Sequence, residues 1–425
     1  MNLREKLNPS LEIIRTFDPV SDDVLDDLPR ALEAHLRSTA GAASRRICRG
    51  GDGRWGRLPA SDVPAAIAGA VTRVPAGLGR EELMRVAYHR GFRVLPITFT
   101  VSGSMVAVMQ PHALYDGGTS WSLVLDVFRR AAGEDPSSEV PEPLRWPVVK
   151  ALHATGLHRP DAFRAVREQR RTILRETEPA RQTRLPRSRA AALATARNTV
   201  LSFDRDAVAR LSASTDPAPL PSSNVIKGRP TMPVRIAGLL LESLSDVAVD
   251  DSDFRVRFAV DLRRYVHKLG EVDGCFAPAE PLGTLRTSDW SPMALTTRLA
   301  ATVKSGVALV SFAADVVAVM KRVVRPVRRS DLARQGAAEI CFSLVTYELA
   351  LPSGFWAAEK NRVVAGGMVE RYAPTSPFIQ IAAFGPGYQV TIWDETGLFD
   401  HERLQDAFER RLALRETAGS LTGRP

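Results

Sequence analysis

His112 and Asp116 stand four residues apart and are followed at once by Gly117 and Gly118, in the segment PHALYDGG. These residue types at this spacing are compatible with three kinds of chemistry. On a continuous helix, positions i and i+4 share a face, and the pair would be candidate metal ligands. The β-rich run SMVAVMQ before the segment and the two glycines after it break such a helix, so the metal reading is set aside. A second reading is a core histidine hydrogen-bonded to a nearby carboxylate, with the glycines making only a turn. The third is a general base: a neutral imidazole whose accepting nitrogen faces a cavity, held in one tautomer by a compact loop. The residues alone leave the second and third open.

The flanking elements decide how rigidly that segment is held. PITFTV and SMVAVMQ flank Ser102-Gly103, a usable hairpin turn, and the second strand runs straight into PHALYDGG. WSLVLDVFRRAAG follows, with Trp121, Leu125 and Phe128 at helical spacing as core packing and Thr119 or Ser120 as the cap. The order strand, tight loop, helix is a platform for a fixed imidazole. Upstream, Leu25, Leu28, Leu32 and Leu36 share one face of a helix over Val24 to Ser38. Glu134 to Arg145, rich in Pro, Ser and Glu, reads as a surface connection leading to a basic helix, and the inter-lobe linker falls at roughly Glu178 to Arg197.

A second lobe then opens with a strand and a helix capped by Asp204 or Asp206, so the chain divides into residues 1–178 and 179–425. Five prolines between Pro217 and Pro233 make a loop before the apolar helix IAGLLLESLSDV. A strand over FRVRFAVDLRRYV ends at Val260-Asp261-Leu262-Arg263. EICFSLVTYELALP, the pair IQIAAF and YQVTIWD around Gly385-Pro386-Gly387, and the helix HERLQDAFERRLALRE complete the lobe.

Composition fits this plan. With 425 residues, 44% of them hydrophobic and 25% charged, the chain is a globular protein long enough for two cores. The net charge of +9 attracts anionic partners at long range. The densest basic run, from Arg164 to Arg189, has no aromatic after Phe163, which argues against nucleic acid as that partner. Cys48, Cys275 and Cys341 form neither a disulfide framework nor a zinc pattern. The amino terminus does not read as a secretory signal, having no apolar run with a cleavage site, and a cytoplasmic location is the expectation. Gly306 to Met320 is apolar but interrupted by Asp315 and falls short of the roughly 20 residues that span a bilayer, so it reads as a buried helix. The basic residues after it, Lys321 to Arg329, read as a solvated helix end, with contact to an anionic membrane surface as the lesser alternative. His35, His89, His153, His158, His267 and His401 lack an adjacent Asp-Gly and are read as surface or structural residues.

PHALYDG, at Pro111 to Gly117, resembles the His-His-x-x-x-Asp-Gly motif of the coenzyme A-dependent acyltransferase superfamily, which includes chloramphenicol acetyltransferase, nonribosomal peptide condensation domains, polyketide-associated acyltransferases and wax ester synthases. Pro111 stands where the family has its first, supportive histidine. FAVDLRRYV resembles the family strand ending in the arginine that pairs with the motif aspartate. VDGCFAPAEPL keeps Gly274 and Phe276 of a condensation-domain segment without its Asn-Thr pair, and SLVTYELALP resembles the crossover strand with Thr346 in place of serine. The plant-type Asp-Phe-Gly-Trp-Gly signature is absent.

The resemblance implies an α/β (α+β) fold of two chloramphenicol-acetyltransferase-like lobes, each a mixed sheet flanked by helices, with a tunnel between them and His112 at its middle. It implies that His112 is the general base, that Asp116 pairs with Arg263 to fix the loop, and that the Gly117 N–H faces the oxyanion. No metal and no permanently bound cofactor are implied; the co-substrate is acyl-CoA or a phosphopantetheinyl carrier protein, and the acceptor a small alcohol or amine. The product is an ester or amide of natural-product or lipid biosynthesis, made by a monomer. The competing expectation, carried by Pro111 and the missing Asn-Thr pair, is a non-catalytic relative that binds a carrier protein. A peripheral membrane enzyme of the wax ester type is a third.

Overall fold

Apolar residues recurring every second position and every third or fourth lay out strands and helices in turn. The computed structural model of the chain describes residues 11–38, 46–49, 54–91, 95–112, 117–134, 144, 146–176, 196–213, 231–247, 254–269, 272, 277–285, 291–314, 339–348, 350–358, 362–370, 377–384, 387–395 and 397–422. The first half runs β1 (Leu11–Asp18), α1 (Asp22–Arg37), β2 (Arg46–Arg49), β3 (Arg54–Arg57), α2 (Val63–Ala70), β4 (Val71–Arg73), α3 (Arg80–Arg90), β5 (Thr98–Ser102), β6 (Met105–Pro111), α4 (Gly117–Ala131), α5 (Pro147–Ala154) and α6 (Pro160–Glu176). The second runs β7 (Arg197–Phe203), α7 (Arg205–Ala213), α8 (Met232–Val247), β8 (Phe254–Ala259), β9 (Ala279–Leu285), α9 (Pro292–Ser305), β10 (Glu339–Glu348), β11 (Val363–Glu370), β12 (Phe378–Phe384), β13 (Gly387–Asp394) and α10 (His401–Thr422).

Two mixed sheets result. The first has the order β11-β1-β6-β5-β4, with β4 parallel to β5 and the other pairs antiparallel. The β5–β6 hairpin closes at the expected turn, where Ser102 faces Met105 and Gly103 takes the positive φ that glycine tolerates. Phe17, Phe99, Val106 and Val108 on one face of this sheet share a core with Leu25, Leu28, Leu32 and Leu36 of α1 and with Trp121, Val124 and Phe128 of α4. The leucine stripe read from the sequence is therefore the buried face of α1. On the opposite face Ile14 and Ala107 pack with Leu83, Met84 and Ala87 of α3.

The second sheet has the order β7-β13-β12-β10-β8-β9, with β10 parallel to both β12 and β8. Asp204 caps α7 by accepting from Ala207 N at 2.7 Å, as the sequence indicated. Helices α7, α8, α9 and α10 cover one face; α8 is apolar nearly all round and accordingly buries Ile236, Leu239, Leu240, Leu241 and Leu244. Toward the first sheet, Cys341, Phe378 and Trp393 join Ile14 and the residues of α3 in one cluster. Ala151 and Leu157, in and just after α5, pack on Val260, Leu262 and Val266 of the second half.

Three expectations require correction. The crossover strand is β11, whereas SLVTYELALP supplies most of β10, which stays inside the second sheet between β12 and β8. The strand before Arg263 ends at Ala259; the Asp261 carboxylate accepts from Arg263 N at 3.0 Å and turns Leu262–Tyr265 into a short 3-10 helix. Helix α4 starts at Gly117, so Thr119 and Ser120 lie in its first turn and do not precede it as a cap. The apolar Val307 to Val310 is helical and buried, separated from α9 by Gly306 in a left-handed conformation. Residues 315–329, including the basic run, lie outside the described residues. Among the described residues no helix is long and apolar enough to cross a membrane.

Candidate functional site

Strand β6 and helix α4 hold the motif between them. Pro111 is the last residue of β6 and pairs with Glu12 of β1, a terminal position where the missing N–H costs little. His112 follows in a turn and is half-buried, and Gly117 opens α4. Residues 113–116, Asp116 among them, lie outside the described residues. His112 and Gly117 thus flank one connection of four residues, with a sheet behind the first and a helix axis behind the second.

Arg263, the fourth residue read from the sequence, sits in the second half. Its Nε–H donates to the Val272 carbonyl at 3.2 Å, and its Nη1–H to Asp261 at 3.2 Å. The expected pairing with Asp116 falls outside the described residues.

Directly behind the motif is a buried polar group that the sequence reading missed. Arg15 of β1 donates through Nη1 to Gln110 Oε1 at 3.2 Å and to Ser120 Oγ at 2.5 Å; Ser120 in turn donates to Gln110 Oε1 at 2.5 Å. Their exposures are 2% for Arg15, 1% for Gln110 and 0% for Ser120, so all three are removed from water. The Arg15 guanidinium also lies over the Trp121 ring, 4.2 Å from its centroid, and Phe17 meets that ring edge-on at 5.9 Å. The signal was present in period two. Ile13, Arg15 and Phe17 share the strand face toward α4, as do Val106, Val108 and Gln110. A charge and an amide each stand where the pattern calls for an apolar residue.

Next to this group the two halves of the chain meet at a small crevice with a volume of about 10 Å³, lined by Trp121 of α4, Val364 of β11, Gln380, Ala382 and Phe384 of β12, and Gln389 and Thr391 of β13. Its walls are tied across the two sheets. Gln389 Oε1 accepts from Val364 N at 2.8 Å, its Nε2–H donates to the Arg362 carbonyl at 2.8 Å, and the Thr391 hydroxyl donates to the Val364 carbonyl at 3.3 Å. Among the described residues the Trp121 indole N–H is buried without a hydrogen-bond partner.

Two other histidines meet carboxylates, and their geometry is structural. His401 uses both ring nitrogens, Nδ1 with Thr199 at 2.7 Å and Nε2 with Asp394 at 3.3 Å. His35, buried on α1, hydrogen-bonds Asp126 of α4 through Nδ1. Burial alone would raise the Asp126 carboxyl, but hydrogen bonds and charge from His35 and Arg130 outweigh it and hold the group below the usual carboxylate range. His153 and His158 stack at 4.2 Å on the surface.

No family model matches the sequence, and no curated protein matches it. Solved structures do match, along nearly the whole chain. The trichothecene 15-O-acetyltransferase of Fusarium sporotrichioides is similar over 98% of this chain and 92% of its own, with a TM-score of 0.63 at 11% identity. Polyketide synthase associated protein 5 of Mycobacterium tuberculosis is similar over 100% and 98%, with a TM-score of 0.57 at 15% identity. The starter condensation domain of rhizomide synthetase, solved in complex with C8-CoA and Leu-SNAC, is similar over 98% and 92%, with a TM-score of 0.52 at 11% identity. The chain therefore shares its fold, two mixed sheets flanked by helices, with this acetyltransferase and this condensation domain, as the resemblance implied.

Proposed function

We propose that this protein transfers an acyl group from a coenzyme A or carrier-protein thioester to a hydroxyl or amine, with His112 as general base. One observation carries the reading: a half-buried histidine in the turn between β6 and α4, on a fold shared along nearly its whole length with an acetyltransferase and a condensation domain. The acceptor X–H gives its proton to an imidazole nitrogen of His112 as X attacks the thioester carbon. The carbonyl electrons move to oxygen, and the N–H of Gly117 is the donor we assign to that oxyanion. Collapse re-forms the carbonyl and breaks the C–S bond, and the thiolate takes the proton back from the imidazolium. Positioned proton transfer of this kind is worth about 10² to 10⁴ in rate. Asp116 and Arg263 are read as a positioning pair, because a carboxylate held away from water needs a partner. The donor reaches His112 through a tunnel between the lobes, and the net charge of +9 favours the phosphates of coenzyme A or an acidic carrier domain. The reading has the enzyme acting as a monomer in the cytoplasm, with no cofactor beyond its thioester.

A panel of acyl thioesters, scored for acceptor-dependent thiol release, tests this directly. His112→Ala is expected to lower release by about 10²-fold or more with an unchanged circular dichroism spectrum. Full turnover by that variant removes His112 as the base. Pro111, in place of the family's first histidine, favours one other reading, a non-catalytic binder of carrier protein. Wild-type protein that binds an acyl-carrier domain yet releases no thiol with any donor would establish that reading instead.

A further inference from the structure

Arg15, Gln110 and Ser120 form a closed hydrogen-bonded ring, and its members come from the two sides of the motif. Gln110 lies two residues before His112, near the end of β6, and Ser120 lies three residues after Gly117, in the first turn of α4. Arg15 comes from the neighbouring strand and bonds to both. We propose that Arg15 is a positioning residue for His112, stapling the strand that enters the motif to the helix that leaves it.

Physical cost argues for this role over a purely structural one. Position 15 faces the core between Ile13 and Phe17, and a leucine or methionine there would bury apolar surface at no desolvation cost. A guanidinium must be stripped of water instead, and it recovers that cost through hydrogen bonds and the face of Trp121. Such groups contribute little net stability but define geometry, because a guanidinium nitrogen that donates to two acceptors ties together the elements that bear them. Here those elements are the strand that leads into His112 and the helix that begins five residues after it. A displacement of about 1 Å at a reacting group is enough to cost about 10²-fold in rate.

The inference rests on the acyl-transfer reading for its kinetic test, and a second measurement is independent of it. Arg15→Met, Arg15→Lys and Ser120→Ala are compared with wild type and with His112→Ala. Arg15→Met is expected to melt at or above the wild-type temperature while kcat falls about ten- to a hundredfold and the KM for the thioester stays within about twofold. Arg15→Lys, which presents a point charge in place of a fork, recovers part of the loss. Ser120→Ala, the smallest change, lowers kcat in the same direction and keeps the test valid if Arg15→Met fails to fold. Wild-type kcat in folded Arg15→Met and Ser120→Ala overturns the proposal. The independent measurement is the ring Cε1–H resonance of His112 by NMR, assigned with His112→Ala. It should shift or broaden in Ser120→Ala and Arg15→Met, and an unmoved resonance overturns the staple whether or not the protein turns over thioesters. Loss of the acyl-transfer reading would appear separately, as wild-type protein that releases no thiol with any donor, and loss of His112 as the base as full turnover by His112→Ala.

Discussion

Trp121 sits where the packing, the buried cation and the cleft meet, and its indole does different work at each. Its ring fills the core beside Phe17 and supports the guanidinium of Arg15, but among the described residues its N–H is buried without an acceptor. Leaving a donor unpaired costs about 1–3 kcal/mol, while removing the whole ring forfeits about 3–5 kcal/mol of transfer and cavity energy. The two costs separate under mutation. Trp121→Phe sheds the orphan donor together with some contact area, and we expect it to change stability by less than about 1 kcal/mol. Trp121→Ala should cost about 3–5 kcal/mol. Urea denaturation of the two variants checks this, and equal losses would mean that the N–H is satisfied in solution.

Helix α4 carries the motif at one end, and α1 holds it along its length. The clasp is Asp126, which bonds to His35 of α1 and accepts from Arg130 Nε at 3.2 Å. The folded chain holds this carboxyl below its ordinary range, so the unfolded chain binds the proton more readily. The stabilisation is complete above the ordinary carboxylate pKa and is lost as pH falls through that value toward the depressed one. Asp126→Asn should therefore cost about 1–3 kcal/mol at pH 7, where the charged hydrogen bonds are weakened, and the gap from wild type should close in acid. Melting temperatures across pH 3 to pH 7 measure the gap, and a constant one would contradict the assignment. Elements of this kind were legible in the sequence: the α1 leucines, the β5–β6 hairpin and the strand, loop and helix around His112 all follow from local periodicity and turn chemistry. Arg15 escaped because a single charge in LEIIRTFD reads as a surface position until the face opposite it is known. The crossover strand escaped for another reason. VVAGGMVE has two adjacent glycines, which lower strand propensity, and they are explained only by close packing, Gly366 against Arg15 of β1 and Gln380 of β12 and Gly367 against Trp393 of β13.

That packing governs the molecule as a whole. β11 falls in chain order between two strands of the second sheet, yet it pairs with β1 over eight residues, from Leu11↔Glu370 to Asp18↔Val363. The second half of the chain thereby completes the edge of the first sheet, and the cleft beside Trp121 lies at the seam. The seam is close-fitting because Gly367 has no side chain. A Cβ there would stand 2.6 Å from Trp393 Cγ and 2.8 Å from Cδ2, and the ring cannot readily retreat, since it is buried and its Nε1–H bonds to Glu395 at 3.1 Å. Gly367→Ala must push β11 off β13 or force Trp393 from its rotamer, which overpacking of this kind prices at about 1–3 kcal/mol. Gly69→Ala in α2 is the control, because a Cβ there meets nothing within 4 Å and alanine is the better helix former. We expect Gly367→Ala to lower the melting temperature and the acyl-transfer rate together, while Gly69→Ala leaves both at or above wild type. A Gly367→Ala protein as stable as wild type would mean that the two sheets are not joined through this strand.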